Sequence, residues 1–90
     1  MDDLKQKEGL FYLGEDDKPL ALIKFSRKEG PVIVIEHTRV SETLKGRGIG
    51  GRLVEAVVGL AKEEGAKILP LCSYARAYLQ KKAEYEDILA

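Results

Sequence analysis

The sequence predicts an α+β fold: a mixed sheet with antiparallel N-terminal strands and a parallel pair after a glycine turn, with two main helices packed on it. Three observations carry this prediction. Three β-type runs fill most of the first forty positions, four glycines fall within residues 46–51, and a helical period, a short β-type run and a second helical run follow. At 90 residues the chain has room for one core, so residues 1–90 read as a single domain.

The first run, Gly9-Leu10-Phe11-Tyr12-Leu13, is aromatic and aliphatic and stops at the polar tip Gly14-Glu15-Asp16-Asp17-Lys18. Leu20 to Ser26 follows at hairpin distance after Pro19, so the two strands should be antiparallel. The link Arg27-Lys28-Glu29-Gly30 leads to the run from Pro31 to Val40, which is dense in β-branched residues and reads as a central strand. After the glycine cluster, Leu53, Val57, Leu60 and Ala61 share one helical face from Gly51 onward, and Gly65 stops that helix. Its acidic end, Glu63-Glu64, is unfavourable at the negative pole of the helix dipole. Lys67 to Cys72 is a short strand in which Pro70 implies an edge, a bulge or a splayed end. A helix capped by Ser73 runs to about Lys82, and Glu84 to Ala90 forms another turn or a frayed end. The strands on either side of the first helix should be parallel.

Charge and hydropathy exclude several function classes. Hydrophobic residues make up 44% and charged residues 33% of the chain, which is the balance of a soluble globule. Fifteen basic and fifteen acidic residues cancel, and no stretch concentrates Lys and Arg without acids, so a nucleic-acid partner is not expected. The longest apolar runs, such as Val32-Ile33-Val34-Ile35, fall far short of the ~20 residues that span a bilayer, so no membrane partner is expected either. Met1-Asp2-Asp3-Leu4-Lys5 lacks the basic-then-apolar pattern of a secretion signal, and a lone cysteine cannot form an internal disulfide. These features imply a reducing, cytoplasmic setting. No metal site is expected.

The glycine cluster carries the chemistry. Glycines directly before a helix let the backbone approach a ligand and expose helical N–H groups at the positive end of the dipole, where a phosphate fits. A plain connecting turn needs only one glycine, whereas this one interleaves Lys45, Arg47 and Arg52. Gly46, Gly48 and Gly51 satisfy a G-x-G-x-x-G string, but three strands precede the turn, which is the wrong context for a dinucleotide fold. The Gly-Lys-Ser/Thr ending of a nucleotide P-loop is missing.

The run from Val40 through Lys45-Gly46-Arg47-Gly48-Ile49-Gly50 to Leu53 resembles the pyrophosphate-binding motif of the GNAT N-acetyltransferases, [Gln/Arg]-x-x-Gly-x-[Gly/Ala]. Lys45 stands where that superfamily usually has Gln or Arg. Together with Ile35-Glu36-His37-Thr38-Arg39-Val40, Lys67 to Tyr74, and Tyr78, the run is similar to the small YjdJ-type branch, over roughly Leu20 to Leu89. Where that branch has His-Pro-Glu-Tyr, this chain reads Lys82-Ala83-Glu84-Tyr85, so any role of that histidine is absent. The resemblance implies an acetyl-CoA-dependent N-acetyltransferase acting on an unassigned amine, whether small molecule, peptide or protein lysine. Thr38, Val40 and the turn from Lys45 through Gly46, Arg47, Gly48, Ile49 and Gly50 to Gly51 would hold coenzyme A. The alternative function is a non-catalytic acyl-CoA binding or sensing module.

Within that resemblance, acetyl transfer needs a deprotonated amine, a donor for the developing oxyanion and an acid for the leaving thiolate. Tyr78 resembles the acid, with Tyr74 one turn earlier; both can equally be packing residues with a hydroxyl at the rim. Glu36 and His37 are candidate bases, and strand alternation should set them on opposite faces so that one of them faces the site, with His37 favoured. Cys72, at a strand end before a helix, is a nucleophile, a wall of the acyl channel or a small buried side chain.

Overall fold

The computed structural model describes residues 4–15 and 17–90. The sequence readings at residues 1–3 and at Asp16 of the polar tip lie outside the described residues. A five-stranded sheet in the order β1-β2-β3-β4-β5 is formed by Lys5–Lys7 (β1), Leu10–Glu15 (β2), Lys18–Lys28 (β3), Val32–Val40 (β4) and Lys67–Pro70 (β5). The α+β reading and its mixed sheet hold: β1 to β4 are antiparallel neighbours, and β5 pairs parallel to β4. The crossover between them is helix α1, Ile49–Glu64; a second helix, α2, covers Ser73–Gln80.

Several boundaries differ from the sequence reading, each for a physical reason. β1 is all polar and exposed, so it shows no hydrophobic alternation and is invisible to periodicity. β3 is 11 residues long because the polar stretch Ser26-Arg27-Lys28 keeps its ladder with β4 as far as Lys28–Val32. β4 is an interior strand, flanked by β3 and β5. β5 stops at Pro70, which has no N–H to extend a ladder. The C-terminus is not frayed. A 3-10 turn at Ala83–Tyr85 buries Tyr85 to 4% exposure, and the backbones of Ile88 and Ala90 bond Ile68 on both sides (2.7 and 2.8 Å).

Both helices lie on one face of the sheet. Their buried residues, Leu53, Val54, Val57 and Ala61 of α1 with Ala75 and Leu79 of α2, form a single core cluster with Ala21, Ile23, Phe25, Ile33, Ile35 and Ile68. The acidic end of α1, unfavourable for the dipole, is used tertiarily: Arg27 holds the Glu64 carboxylate through two contacts, Nε–Oε1 at 3.2 Å and Nη2–Oε2 at 2.7 Å, tying the helix end to β3.

The break in register at Lys24/Phe25 positions the functional residues. Lys24 pairs with His37 and Phe25 with Ile35, which leaves Glu36 as an extra residue in β4. Ile35 and Thr38, three apart, then both sit on the helix side with Phe25 and Ile23. Glu36 and His37 both fall on the other face. Strand alternation predicted opposite faces for these two; the bulge is the reason they share one.

Candidate active site

The site is built at the break between β4 and β5. Their ladder ends at Ile35–Pro70, where the Ile35 carbonyl accepts from the amides of Leu71 (2.9 Å) and Cys72 (3.3 Å). β4 runs on to Val40, so its edge from residue 36 to residue 40 has no strand beside it. The glycine turn and the start of α2 border that gap. A cleft of about 320 Å³ opens there, walled by Thr38, Val40 and Leu44, by Lys45, Gly46, Gly48, Ile49 and Gly50, and by Tyr74.

The helix begins two residues earlier than the sequence period implied. Gly48 is its N-cap in the left-handed region (φ 73°), with no side-chain cap, so Gly50 and Gly51 belong to the first helical turn. The first bond of the helix runs from the Arg52 N–H to the Gly48 carbonyl (3.1 Å). The amides of Ile49, Gly50 and Gly51 therefore have no acceptor within the helix. No acidic residue stands in this first turn to compete with an anion. Gly46 is also left-handed (φ 83°), and a Cβ at Gly46 or Gly48 would meet nothing within 4 Å, so the space before the amides is open. Lys45 lies beside the turn, its Nζ bonded to Glu42 at 3.0 Å in an exposed pair.

Two tyrosines pack on the helix glycines, and they do different things. A Cβ at Gly50 would lie 2.7 Å from the Tyr74 hydroxyl oxygen, so Tyr74 leans over the cradle and walls the cleft. A Cβ at Gly51 would lie 3.1 Å from the Tyr78 ring, which faces the adjoining groove with Arg52, Glu55 and Ala56 rather than the cleft. The Tyr78 hydroxyl donates to Glu55 Oε2 at 2.7 Å, and that bond, with burial, pushes its pKa up to about 12. Tyr85 donates to the same oxygen and is raised as well, while Lys82 stands 3.8 Å away. For Glu55 burial raises the pKa, but the two hydroxyls and the lysines outweigh it and the net shift is downward. Glu55 carried no sequence signal, because the tyrosines that bond it lie 23 and 30 positions further along the chain.

Cys72 is half-buried beside β4, its Sγ 3.4 Å from Thr38 Oγ1. Burial raises its thiol pKa, but the bonds from Thr38 and from the backbone of Ala75 and Tyr74 bring it below the ordinary value. His37 and Glu36 are exposed on the helix-free face, where the Ser26 hydroxyl donates to Glu36 Oε2 at 2.7 Å. Thr38, Val40, Lys45, Gly46, Gly48, Ile49 and Gly50 thus come together at one cleft. Arg47 projects from the turn into solvent, Gly51 lies under Tyr78, and Tyr78 itself is off the cleft wall.

A strand break next to a helix N-terminus stripped of caps is a site for an anionic group carried on an extended arm. The family of GCN5-related N-acetyl-transferases matches residues 10–88, and the chain belongs to it. The solution structure of a GCN5-like N-acetyltransferase candidate from Staphylococcus aureus is similar over 98% of this chain and 87% of that one, with 38% identity and a TM-score of 0.83. The fold is also shared with a predicted acetyltransferase from Clostridium acetobutylicum crystallised with acetyl-CoA (22% identity, TM-score 0.60, 80% of this chain and 54% of that one). A GNAT family acetyltransferase from Elizabethkingia anophelis with acetyl-CoA bound gives 21% identity and the same TM-score, over 80% of this chain and 50% of that one. Among curated proteins, none matches.

Proposed function

We propose that this N-acetyltransferase domain binds acetyl-CoA in the cleft at the β4–β5 break and transfers its acetyl group to an amine. The observation that carries the reading is the set of three amides, Ile49, Gly50 and Gly51, at an uncapped helix start that faces open space. The pyrophosphate of coenzyme A accepts from these amides, with the helix dipole and the nearby Lys45 and Arg47 favouring its charge. The unpaired edge of β4 at Thr38 and Val40 takes the pantetheine arm, and Cys72 walls its acyl end.

Acetyl-CoA supplies a thioester: transfer to an amine that arrives as an ammonium forms an amide C–N bond, breaks the C–S bond and releases CoA as its thiol and one proton. His37 and Glu36, at the bulge on the far side of the strand break, are the groups that take that proton. The hydroxyl that faces the coenzyme is assigned to Tyr74 in preference to Tyr78, because the proton of Tyr78 is already committed to Glu55 and held there up to about pH 12.

A second reading, an acyl-CoA binding module, has one observation in its favour: the cleft wall contains no carboxylate or imidazole. One experiment separates the readings. Thermal unfolding with CoA and acetyl-CoA should show stabilisation by both, and free CoA thiol should then appear when amines are added. Stabilisation without thiol release leaves the binding module; no stabilisation overturns both.

A further inference from the structure

The face of the sheet opposite the helices carries a charge pattern that the net charge of zero conceals. Residues that pair across the strands share a face, so the register reads out its rows. One row is Lys5, Tyr12, Leu22 and Arg39; the next is Lys7, Leu10, Lys24 and His37; a third holds Ser26, Val34 and Leu69; Lys28 lies beyond it. Tyr12 and Val34 are only 8% and 7% exposed, yet neither belongs to the core cluster beneath the helices. They are the centre of a second apolar stripe, covered by their neighbours on the sheet and by no helix among the described residues. Around that stripe stand five exposed cations, Lys5, Lys7, Lys24, Lys28 and Arg39, and among the described residues of these rows the one carboxylate is Glu36.

The bulge makes this face functional. It puts Glu36 and His37 there together, on the stretch of β4 that has lost its partner strand, so they stand at the same strand break that the cleft borders from the helix side. An acceptor amine reaching that break from the open face meets one carboxylate, held by Ser26, inside a ring of cations. A polyamine or a lysine in a basic segment would be repelled by that ring. A lysine flanked by acidic residues would be drawn in, its ammonium toward Glu36 and its flanking carboxylates toward Lys24, Arg39 and Lys7.

We infer that the acceptor is a lysine within an acidic, partly apolar protein segment that docks on the helix-free face of the sheet. This inference rests on the acetyl-transfer reading above for its chemistry, but the docking itself can be observed without it. The test uses three capped peptides, each with one lysine flanked by four glutamates, four serines or four arginines, titrated into the isotope-labelled chain. The glutamate peptide should shift the amides of β2 to β4 around Leu22, Lys24 and His37, weakening as salt is raised, and the arginine peptide should not. In the presence of acetyl-CoA it should also be acetylated with at least about tenfold higher kcat/KM than the arginine peptide. The double variant K24E/R39E, both side chains exposed, should reverse that order and keep the same stabilisation by CoA.

Equal shifts and rates for all three peptides, or preference for arginine, would overturn the inference. Specific shifts without acetylation would uphold the docking and fault the catalytic reading instead. A K24E/R39E chain that retains the preference for glutamate would also count against the inference, and single variants K24E and R39E give the same readout if the double variant does not fold.

Discussion

Replacing Gly50 by alanine should separate fold stability from coenzyme binding more cleanly than any other single change. The added methyl would lie 2.7 Å from Tyr74 Oη, 2.8 Å from Cζ and 3.0 Å from Cε2, so the ring must move. Tyr74 is 45% exposed and its far end is free to swing outward. The loss is the part of the ring that packs on the helix, on the order of 1 kcal/mol for a few tens of Å² of apolar area. Against this, alanine is favoured over glycine in a helix by up to about 1 kcal/mol. The two terms nearly cancel, so chemical denaturation should place Gly50→Ala within about 1 kcal/mol of the parent chain. Binding has no such compensation, since the methyl enters the cleft beside the amide that would bond phosphate and the Tyr74 wall is displaced. Calorimetry should show CoA affinity falling by tenfold or more, about 1.4 kcal/mol. A variant of unchanged stability and unchanged CoA affinity would refute the assignment of this cleft.

Gly48→Ala makes the complementary case. Its Cβ meets nothing within 4 Å, so the cost is the left-handed backbone alone, about 1–2 kcal/mol, read as a loss of roughly 4–16 °C in melting temperature. Tyr85→Phe removes one of the two hydroxyls on Glu55 and should destabilise by about 1 kcal/mol in urea unfolding while leaving CoA affinity alone. The same cluster sets the pH limits. Glu55, lowered in the fold, stabilises above the ordinary carboxylate value of 4.5, and that contribution is lost as pH falls through its folded pKa. Tyr78, raised from 10.0 to about 12, stabilises below pH 10.0, and that contribution is lost as pH rises toward 12, so Tyr78→Phe should flatten the alkaline limb of a melting-temperature profile. Cys72, with its thiol pKa lowered, should be alkylated faster than a free cysteine at neutral pH and be protected by CoA; an acetyl adduct formed from acetyl-CoA alone would reveal a covalent route.

What could be read from the sequence follows from where the determining interactions lie. The order of β2 to β5 and the helices and the parallel crossover were legible because hydrophobic period and glycine punctuation are local, whereas these signals miss β1 and carry the last strand on to Cys72, two residues past its end at Pro70. The glycine turn was legible for the same reason, but its use was only half so. The sequence shows four glycines alike, whereas in the fold Gly46 and Gly48 supply left-handed backbone while Gly50 and Gly51 supply room for tyrosine rings brought in from α2, more than twenty positions away. No local rule assigns Tyr74 to Gly50 and Tyr78 to Gly51, or tells which tyrosine walls the cleft.

The bulge at Glu36 carries this point furthest. Alternation is a rule about a strand taken alone, and it puts Glu36 and His37 on opposite faces. The face a residue occupies is set by its partner strand, and β3 is one residue short of matching β4 between Ile35 and His37. That single unmatched residue moves a carboxylate to the helix-free face, joins it to the imidazole and to Ser26, and sets both among cations drawn from β1, β3 and β4. Deleting Glu36 would restore alternation with Ile35, Thr38 and Val40 still on the helix side and His37 still on the other face, because only the unmatched residue is removed. Deleting Glu36 should therefore retain CoA binding, as should Glu36→Gln, which keeps the bulge, and both should lower turnover. Equal loss of CoA affinity in both would show that the carboxylate matters to the cleft, and loss in the deletion alone would show that the bulge itself shapes it.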